Sequence, residues 1–383
     1  MKILAYSHNV YPTVGGIATY CATLCAALTD GGEELSLLAP GGGAKQESPY
    51  PLVALPAGLA SDQISLAGYG EAIRLLRATL RRLRPDVLWC CNVDALYVLA
   101  LASVDVAVAV TVHGSEIVKS FGRLEVPPMI RARLIGRALA RADRIIAVSC
   151  YTQSLIQRHL PQVTEKIDVV HNGVAMVADD PVLLPRAEDG ERILLSVGRL
   201  VEFKGFHLFP EVLVALLRLI PKIRWIIAGD GAFREILTEK VNKLGLQDRV
   251  TLLGMVGPVP LAELYRKADL LVHPAVSDGQ GRDESFGLVL VEALLHGCPV
   301  ATTGAGGTGE IIEDGETGVL FDIRRPAEAA EKLAGCLRDP RLLPELGRRG
   351  REHARRHFTQ RQCAAKTLES LGRAQARYAA ALG

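Results

Sequence analysis

Asp283-Glu284-Ser285-Phe286-Gly287-Leu288-Val289-Leu290-Val291-Glu292 brackets an apolar run between two carboxylates spaced Glu-x7-Glu. Gly287 stands at the start of the run, and Gly297, Cys298 and Pro299 lie just beyond its end. The pattern predicts a buried helix from about Phe286 to His296, stopped by Gly-x-Pro. Glu284 then falls in the loop at the helix N-terminus, where backbone N–H groups lack intrahelical partners and the dipole is positive. Such an end suits an anion, and a diphosphate fits it. Glu292 falls inside an otherwise apolar helix, where a carboxylate is costly without a partner. A diol can be that partner. Two carboxylates flanking a phosphate-binding helix start suggest a nucleotide sugar, with one glutamate on the sugar and the other on the ribose.

Around this helix, short apolar strands alternate with helical patterns. One series runs through Ile193–Val197, Trp225–Ala228, Val250–Leu253, Leu270–His273, Val300–Thr302 and Val319–Phe321. An earlier series runs through Ile3–Tyr6, Leu35–Ala39, Val87–Cys90, Ala107–Val112, Arg144–Val148 and Ile167–Val170, with helices near Ile17–Asp30, Gly70–Leu83 and Met129–Arg141. Alternation of this kind means parallel sheets covered on both faces. The stretch from Ala175 to Gly190 is polar and without periodicity, so the linker is placed there. The expected class is α/β, with two doubly wound, Rossmann-like domains facing across a cleft at the carboxyl ends of their strands. The expected boundaries are 1–178 for the first domain and 179–357 for the second.

A length of 383 residues fits two domains, and 49% apolar content supplies their cores. A net charge of +2 gives no general argument for nucleic acid. Residues 341–383 hold ten Lys/Arg against three acids, which reads first as a solvated helix face. The eight cysteines include no Cys-x-x-Cys, and no histidine lies at zinc-finger spacing. Reduced thiols and no evident signal peptide predict a cytoplasmic protein. Leu96 to Val110 is apolar but is interrupted by Asp105 and is too short to span a bilayer.

Arg199 and Lys204 follow the first strand of the second series in Val197-Gly198-Arg199-Leu200-Val201-Glu202-Phe203-Lys204-Gly205. Two cations at a strand's carboxyl end can neutralise a leaving diphosphate without a metal; the plainer alternative is a surface ion pair with Glu202. Gly15 and Gly16 in the first strand–helix turn let the backbone approach a ligand, or simply make a tight turn. His113 and Glu116, flanking Gly114 after Ala107–Val112, look like a sugar-binding corner. Asn172 and Gly173 suit an interdomain turn near the cleft. Gly229-Asp230-Gly231 and Gly254-Met255 also end strands, where a nucleobase or an ordinary turn would fit. Gly304-Ala305-Gly306-Gly307-Thr308-Gly309 matches the dinucleotide pattern Gly-x-Gly-x-x-Gly. However, Asp314-Gly315 leaves room for no more than about Thr308 to Glu313 as helix, too short for a dinucleotide crossover. The loop is read instead as delivering Gly306, Gly307 and Glu310 to the cleft. No Asp-x-Asp pair ends a strand, so no metal is implied.

Taken together, these motifs resemble the retaining GT-B glycosyltransferases of family 4. The matching residues are Gly15-Gly16, His113-Gly114, Asn172-Gly173-Val174, Val197-Gly198-Arg199 with Lys204-Gly205, Gly229-Asp230-Gly231, Glu284-Ser285-Phe286-Gly287 through Glu292, and Gly306-Gly307 with Glu310. The resemblance implies transfer of a hexose or N-acetylhexosamine from a nucleotide diphosphate sugar, UDP before GDP, to a hydroxyl acceptor. It implies that Arg199 and Lys204 hold the diphosphate, Glu284 the donor sugar and Glu292 the ribose. Backbone at Phe286, Gly287 and Leu288 would face phosphate, with Gly16, Gly198, Gly231 and Met255 completing the donor site. His113 would lie beside the sugar, with Gly15, Glu116 and Asn172 on the acceptor side. The last helix, about 358–383, would pack back on the first domain. No cofactor beyond the nucleotide sugar is implied. The acceptor would be a lipid-linked saccharide, a polyol or a natural-product core, and the protein a monomer or homodimer. A sugar phosphorylase and a nucleotide-sugar-binding subunit without turnover remain as alternatives. Arg133, Arg137 and Arg141 recur every four residues beside Ile130, Leu134 and Ala138, which fits either a solvated helix or one lying on the inner face of a membrane.

Overall fold

A computed structural model describes residues 1–10, 16–40, 49–55, 66–114, 117, 128–176, 190–278 and 282–383. The chain divides into two units, Met1–Ala175 with Gln360–Gly383, and Met176–Thr359.

In the first unit, β1 (Lys2–Tyr6), β2 (Glu34–Pro40), β3 (Leu52–Leu55), β4 (Val87–Cys90), β5 (Ala107–Val112), β6 (Arg144–Ala147) and β7 (Ile167–Val169) form a parallel sheet. Their order is β3-β2-β1-β4-β5-β6-β7. Strands β4 and β5 are buried along their whole length. That explains their almost wholly apolar runs, because helices cover both faces. Trp89 on β4 is fully buried, and its indole N–H donates to Thr111 Oγ1 on β5 at 2.9 Å.

In the second unit, β8 (Arg192–Val197), β9 (Ile223–Ala228), β10 (Val250–Gly254), β11 (Leu270–His273), β12 (Val300–Thr302) and β13 (Val319–Leu320) are parallel in the order β10-β9-β8-β11-β12-β13. Trp225 on β9 donates to Ser196 Oγ on β8 at 2.9 Å, and that hydroxyl donates on to Val272 O on β11 at 2.6 Å. This relay satisfies polar groups that would otherwise be costly in the core. It also ties the three central strands together. In both units the winding direction reverses beside the first strand, between β1 and β4 and between β8 and β11. Open α/β sheets bind ligands outside the carboxyl ends of the strands at such a reversal.

The helix Gln360–Leu382 buries Cys363, Ala364, Thr367, Ser370, Leu371 and Ala374 at helical spacing. It lies against β4, β5, β6 and the helix Gly16–Asp30. Ser370 Oγ donates to Asp168 Oδ2 at 2.7 Å, while Arg373 and Arg377 pair with Asp168 and Glu165 at 3.3 and 2.9 Å. On the preceding helix, Leu342–His357, Arg348 and Arg349 pair with Glu345 at 2.7 Å. The basic tail is thus largely solvated helix surface, whose exposed pairs add little stability.

Three readings change in the fold. Strand β3 and the helices Val93–Leu101 and Cys150–His159 had no counterpart in the sequence reading. The helix expected over Phe286–His296 is shorter, Leu288–Leu295. Arg141 is not simply one of a row of solvent-facing arginines with Arg133 and Arg137. Its guanidinium donates to the carbonyls of Leu99, Ala100 and Ala102 at 3.2, 3.0 and 2.9 Å, closing the end of Val93–Leu101. As read from the sequence, the Gly-x-Gly-x-x-Gly match opens no crossover helix, since Gly306–Glu310 is a short 3-10 turn. No helix among the described residues is long and apolar enough to cross a membrane.

Candidate nucleotide-sugar site

The reversal between β8 and β11 gathers charge. Beyond β8, Glu202–Lys204 forms a 3-10 turn closed by Gly205, whose N–H donates to Glu202 O at 2.9 Å. Val276 N–H donates to Phe203 O at 2.8 Å, which fixes the turn against the chain leaving β11. The turn carries Lys204 inward, so the residue is only 9% exposed. Its ammonium forms a close ion pair with Glu284 Oε2 and lies 3.4 Å from His273 Nε2. That imidazole nitrogen is in turn 3.6 Å from Glu284 Oε2. Glu284 is held from its backbone by Gly307, whose N–H donates to Glu284 O at 2.8 Å.

The electrostatics follow from this packing. Burial pushes the Glu284 carboxyl up, but the Lys204 charge and the His273 contact outweigh it and hold the group well below the usual carboxylate range. Burial pushes the His273 imidazole down; Glu284 pulls it back up and Lys204 lowers it again. The result is a nearly buried cation–anion pair with a histidine at its side. His273 was not singled out in the sequence. Its only signal was a histidine ending an otherwise apolar strand, Leu270–His273.

Beside the pair begins the helix Leu288–Leu295. Its cap is Gly287, at φ 103°, and no side chain caps the first turn. Only a glycine adopts that left-handed backbone without strain. The first turn is therefore left to water or a ligand, as a phosphate site requires. Phe286 is buried, its ring 5.8 Å from Phe358, and Leu288 is half-buried. Glu292, one turn further along, accepts a hydrogen bond from Tyr265 Oη at 2.9 Å. Burial pushes the Glu292 carboxyl above its ordinary value, against the Tyr265 hydrogen bond and the Lys204 charge.

The sign of that shift makes a prediction. A carboxyl raised in the fold costs stability when ionised, at pH values above its folded pKa. The cost fades as pH falls through that value toward the unfolded one, about 4.3. Glu292→Gln is therefore expected to melt above wild type at pH 8, with the gap closing toward pH 4. Equal gaps at both ends of a pH-resolved thermal melt would refute this.

The remaining residues expected on the donor side also lie at strand ends of the second unit. Gly198 follows β8, and Arg199 is exposed with no carboxylate partner among the described residues. The expected alternative for these cations, a pair with Glu202, does not form, because Glu202 lies 3.9 Å from Arg282. Gly231 follows β9, and Gly229 N–H donates to Gly254 O at 2.7 Å, joining the ends of β9 and β10. Met255, next to Gly254, is 65% exposed. Such an apolar side chain beside backbone edges is suited to a base.

In the first unit, Gly16 opens its helix and is exposed. His113 follows β5 and is buried, its Nε2 donating to Cys91 O at 2.9 Å and its ring 4.9 Å from Tyr20. Asn172 is also buried, and its Oδ1 has no hydrogen-bond partner among the described residues. Gly15 and Glu116 lie outside the described residues.

A sheet of Rossmann type in each unit, with Lys204, Glu284 and an uncapped helix at the reversal of the second, defines the GT-B class. Two family models agree: "Glycosyltransferase Family 4" matches residues 14–176, and "Glycosyl transferases group 1" matches residues 185–353. The chain belongs to the family 4 glycosyltransferases of GT-B fold. It is 32% identical over 231 residues to a D-inositol 3-phosphate glycosyltransferase of Segniliparus rotundus, covering 58% of this chain and 50% of that protein. It is likewise 32% identical over 270 residues to the enzyme of the same name from Rhodococcus opacus, covering 66% and 58%. The chain thus spans little more than half the length of these relatives. Among solved structures, sucrose-phosphate synthase of Thermosynechococcus elongatus matches with TM-score 0.76 and 22% identity, over 96% of this chain and 97% of that one. HepE of Anabaena, in complex with UDP and glucose, matches with TM-score 0.72 and 22% identity, over 97% and 99%.

Proposed function

We propose that this protein is a retaining hexosyltransferase that moves a hexose or N-acetylhexosamine from a nucleotide diphosphate sugar to a hydroxyl acceptor. The observation that carries this is Lys204 against Glu284, beside the uncapped N-terminus of Leu288–Leu295, at the reversal point of the sheet. On this reading Lys204, Arg199 and the helix dipole meet the diphosphate charge. Glu284 grips hydroxyls of the donor sugar, and Glu292 those of the ribose. The anomeric carbon's bond to phosphate oxygen breaks as its bond to the acceptor oxygen forms on the same face. The acceptor's proton passes to the departing phosphate. The site's own cations carry the charge, so a metal ion is not needed.

UDP is placed before GDP, supported by the UDP and UDP-glucose complexes of HepE. A polyol acceptor of the inositol phosphate kind is placed before a lipid-linked saccharide or natural-product core, supported by the names of the curated relatives. His113 and Asn172 are assigned to the acceptor side. The unsatisfied Asn172 Oδ1 supports this, since a buried acceptor without a donor costs about 1–3 kcal/mol. The exposed Arg133 and Arg137 leave peripheral contact with an anionic membrane as part of the proposal.

A thermal-shift screen of UDP, GDP, ADP and their sugars tests the donor. The cognate nucleotide at 100 times its Kd should add about 2.7 kcal/mol of apparent stability. No shift with any of them, or shifts that survive Lys204→Ala and Glu292→Gln together, would remove the donor reading. Binding of a sugar nucleotide with no transfer to inositol 1-phosphate, inositol 3-phosphate or another polyol would point instead to a binding subunit.

A further inference from the structure

Tyr265 lies on the helix Pro258–Lys267, outside every motif above, and is 2% exposed. Its hydroxyl reaches across to Glu292 Oε2 at 2.9 Å. Glu292 Oε1 takes no hydrogen bond among the described residues. The Tyr265 ring is itself held by His296, whose centroid is 5.2 Å away. His296 Nδ1 donates to Glu292 O at 2.8 Å, so the clamp returns to the residue it serves. A carboxylate inside an apolar helix could be satisfied by burying both oxygens in hydrogen bonds. Here only one oxygen is tied down, by a rigid aromatic donor with few rotatable bonds.

We infer that Tyr265 is a positioning residue for nucleotide binding, fixing Glu292 through one carboxylate oxygen so that the other is presented to the ribose hydroxyls. The inference rests on the donor reading proposed above, and adds the group that orients the ribose contact. The charged and titratable groups facing Glu292 are Tyr265 from one helix, Lys204 from the turn after β8, and His296 on its own helix, with Arg266 and Arg351 beside His296. Of these, Tyr265 and Lys204 favour the ionised carboxylate, and burial opposes it. Without the hydroxyl, Glu292 both gains rotational freedom and moves further up in pKa. A ribose hydroxyl donates best to an ionised, oriented oxygen, so both changes weaken the same contact.

The test measures binding of UDP, GDP and ADP to the full chain by calorimetry. The tightest of the three is then compared with its 2′,3′-dideoxy counterpart in wild type, Tyr265→Phe and Glu292→Gln. Tyr265→Phe should weaken the ribonucleotide by about tenfold and leave the dideoxynucleotide nearly unchanged. It should also move the acidic limb of ribonucleotide binding to higher pH, a limb that Glu292→Gln lacks. The ratio of the two affinities within one variant does not depend on how much of it is folded, so lost stability cannot imitate the result. Equal weakening of both nucleotides, or an unmoved acidic limb, would overturn the role of Tyr265 while leaving donor binding intact. Absence of any nucleotide binding by wild type would sink the donor reading, and this inference with it.

Discussion

Lys204→Ala is expected to lower turnover by about 10²-fold or more and to cost about 3–5 kcal/mol of stability. The activity loss follows if the ammonium stabilises charge developing on the departing diphosphate. The stability loss follows from what stays behind, because Glu284 then keeps its burial and loses the nearest cation. The pH dependence distinguishes the two states of the site. In wild type the Glu284 carboxyl is held below its unfolded value, so its contribution is present above about pH 4.3 and is lost only as pH falls through the folded value. In the variant burial dominates and the carboxyl moves up, so ionising it costs stability. The gap in Tm between the two proteins should therefore be widest at neutral pH and narrow in acid. A Lys204→Met, Glu284→Gln double variant, which buries no lone charge, should recover much of the melting temperature and none of the turnover. Near-normal turnover in Lys204→Ala would remove the phosphate role, and an unchanged melt would show that the buried pair contributes nothing.

The residues of that pair were legible in the sequence, but their pairing was not. Strand ends announce themselves because a strand covered on both faces reads as a short apolar block; Leu270–His273 and Val300–Thr302 emerge in the structure with the bounds read from sequence. Lys204 could thus be placed at a strand's carboxyl end, and Glu284 in the loop before the helix that the apolar run Leu288–Val291 predicts. Which cation meets which acid depends on side-chain reach across the sheet, which no linear spacing encodes. Glu202 was the near neighbour in sequence, yet it faces Arg282 instead. The elements missed have physical reasons too. Strand β3, Leu-Val-Ala-Leu between Pro51 and Pro56, is apolar but only four residues long and lies at the sheet edge, so period alone does not mark it as a strand. The helix Val93–Leu101 is buried from Ala95 to Ala100, so it shows no amphipathic period to distinguish it from a strand. Tyr265 escaped notice because a tyrosine on an amphipathic helix is ordinarily core, and only its hydroxyl's destination marks it out.

Gly205→Ala is expected to be as damaging to turnover as Lys204→Ala, although it touches no ligand-binding side chain. Gly205 has φ 69°, and a Cβ there would stand 1.9 Å from Pro274 O, a backbone atom. The left-handed backbone alone costs an alanine about 1 kcal/mol. The clash adds to it, because neither side can yield cheaply. One side is the turn that carries Lys204, and the other is the chain leaving β11 just after His273, joined to that turn by the Val276–Phe203 hydrogen bond. Relief must shift one of them, and a displacement of about 1 Å at a charge-stabilising group can cost 10²-fold in rate. Stability should fall by about 3 kcal/mol or more, in the range of severe core changes. Gly245 supplies the control, since it has φ 68° and nothing within 4 Å of a built Cβ. Gly245→Ala should carry only the backbone term, about 1 kcal/mol, with turnover intact. Denaturant unfolding and turnover measured on both variants decide the matter. If Gly205→Ala is no worse than Gly245→Ala, the close approach of the two chain segments does not hold Lys204 in place.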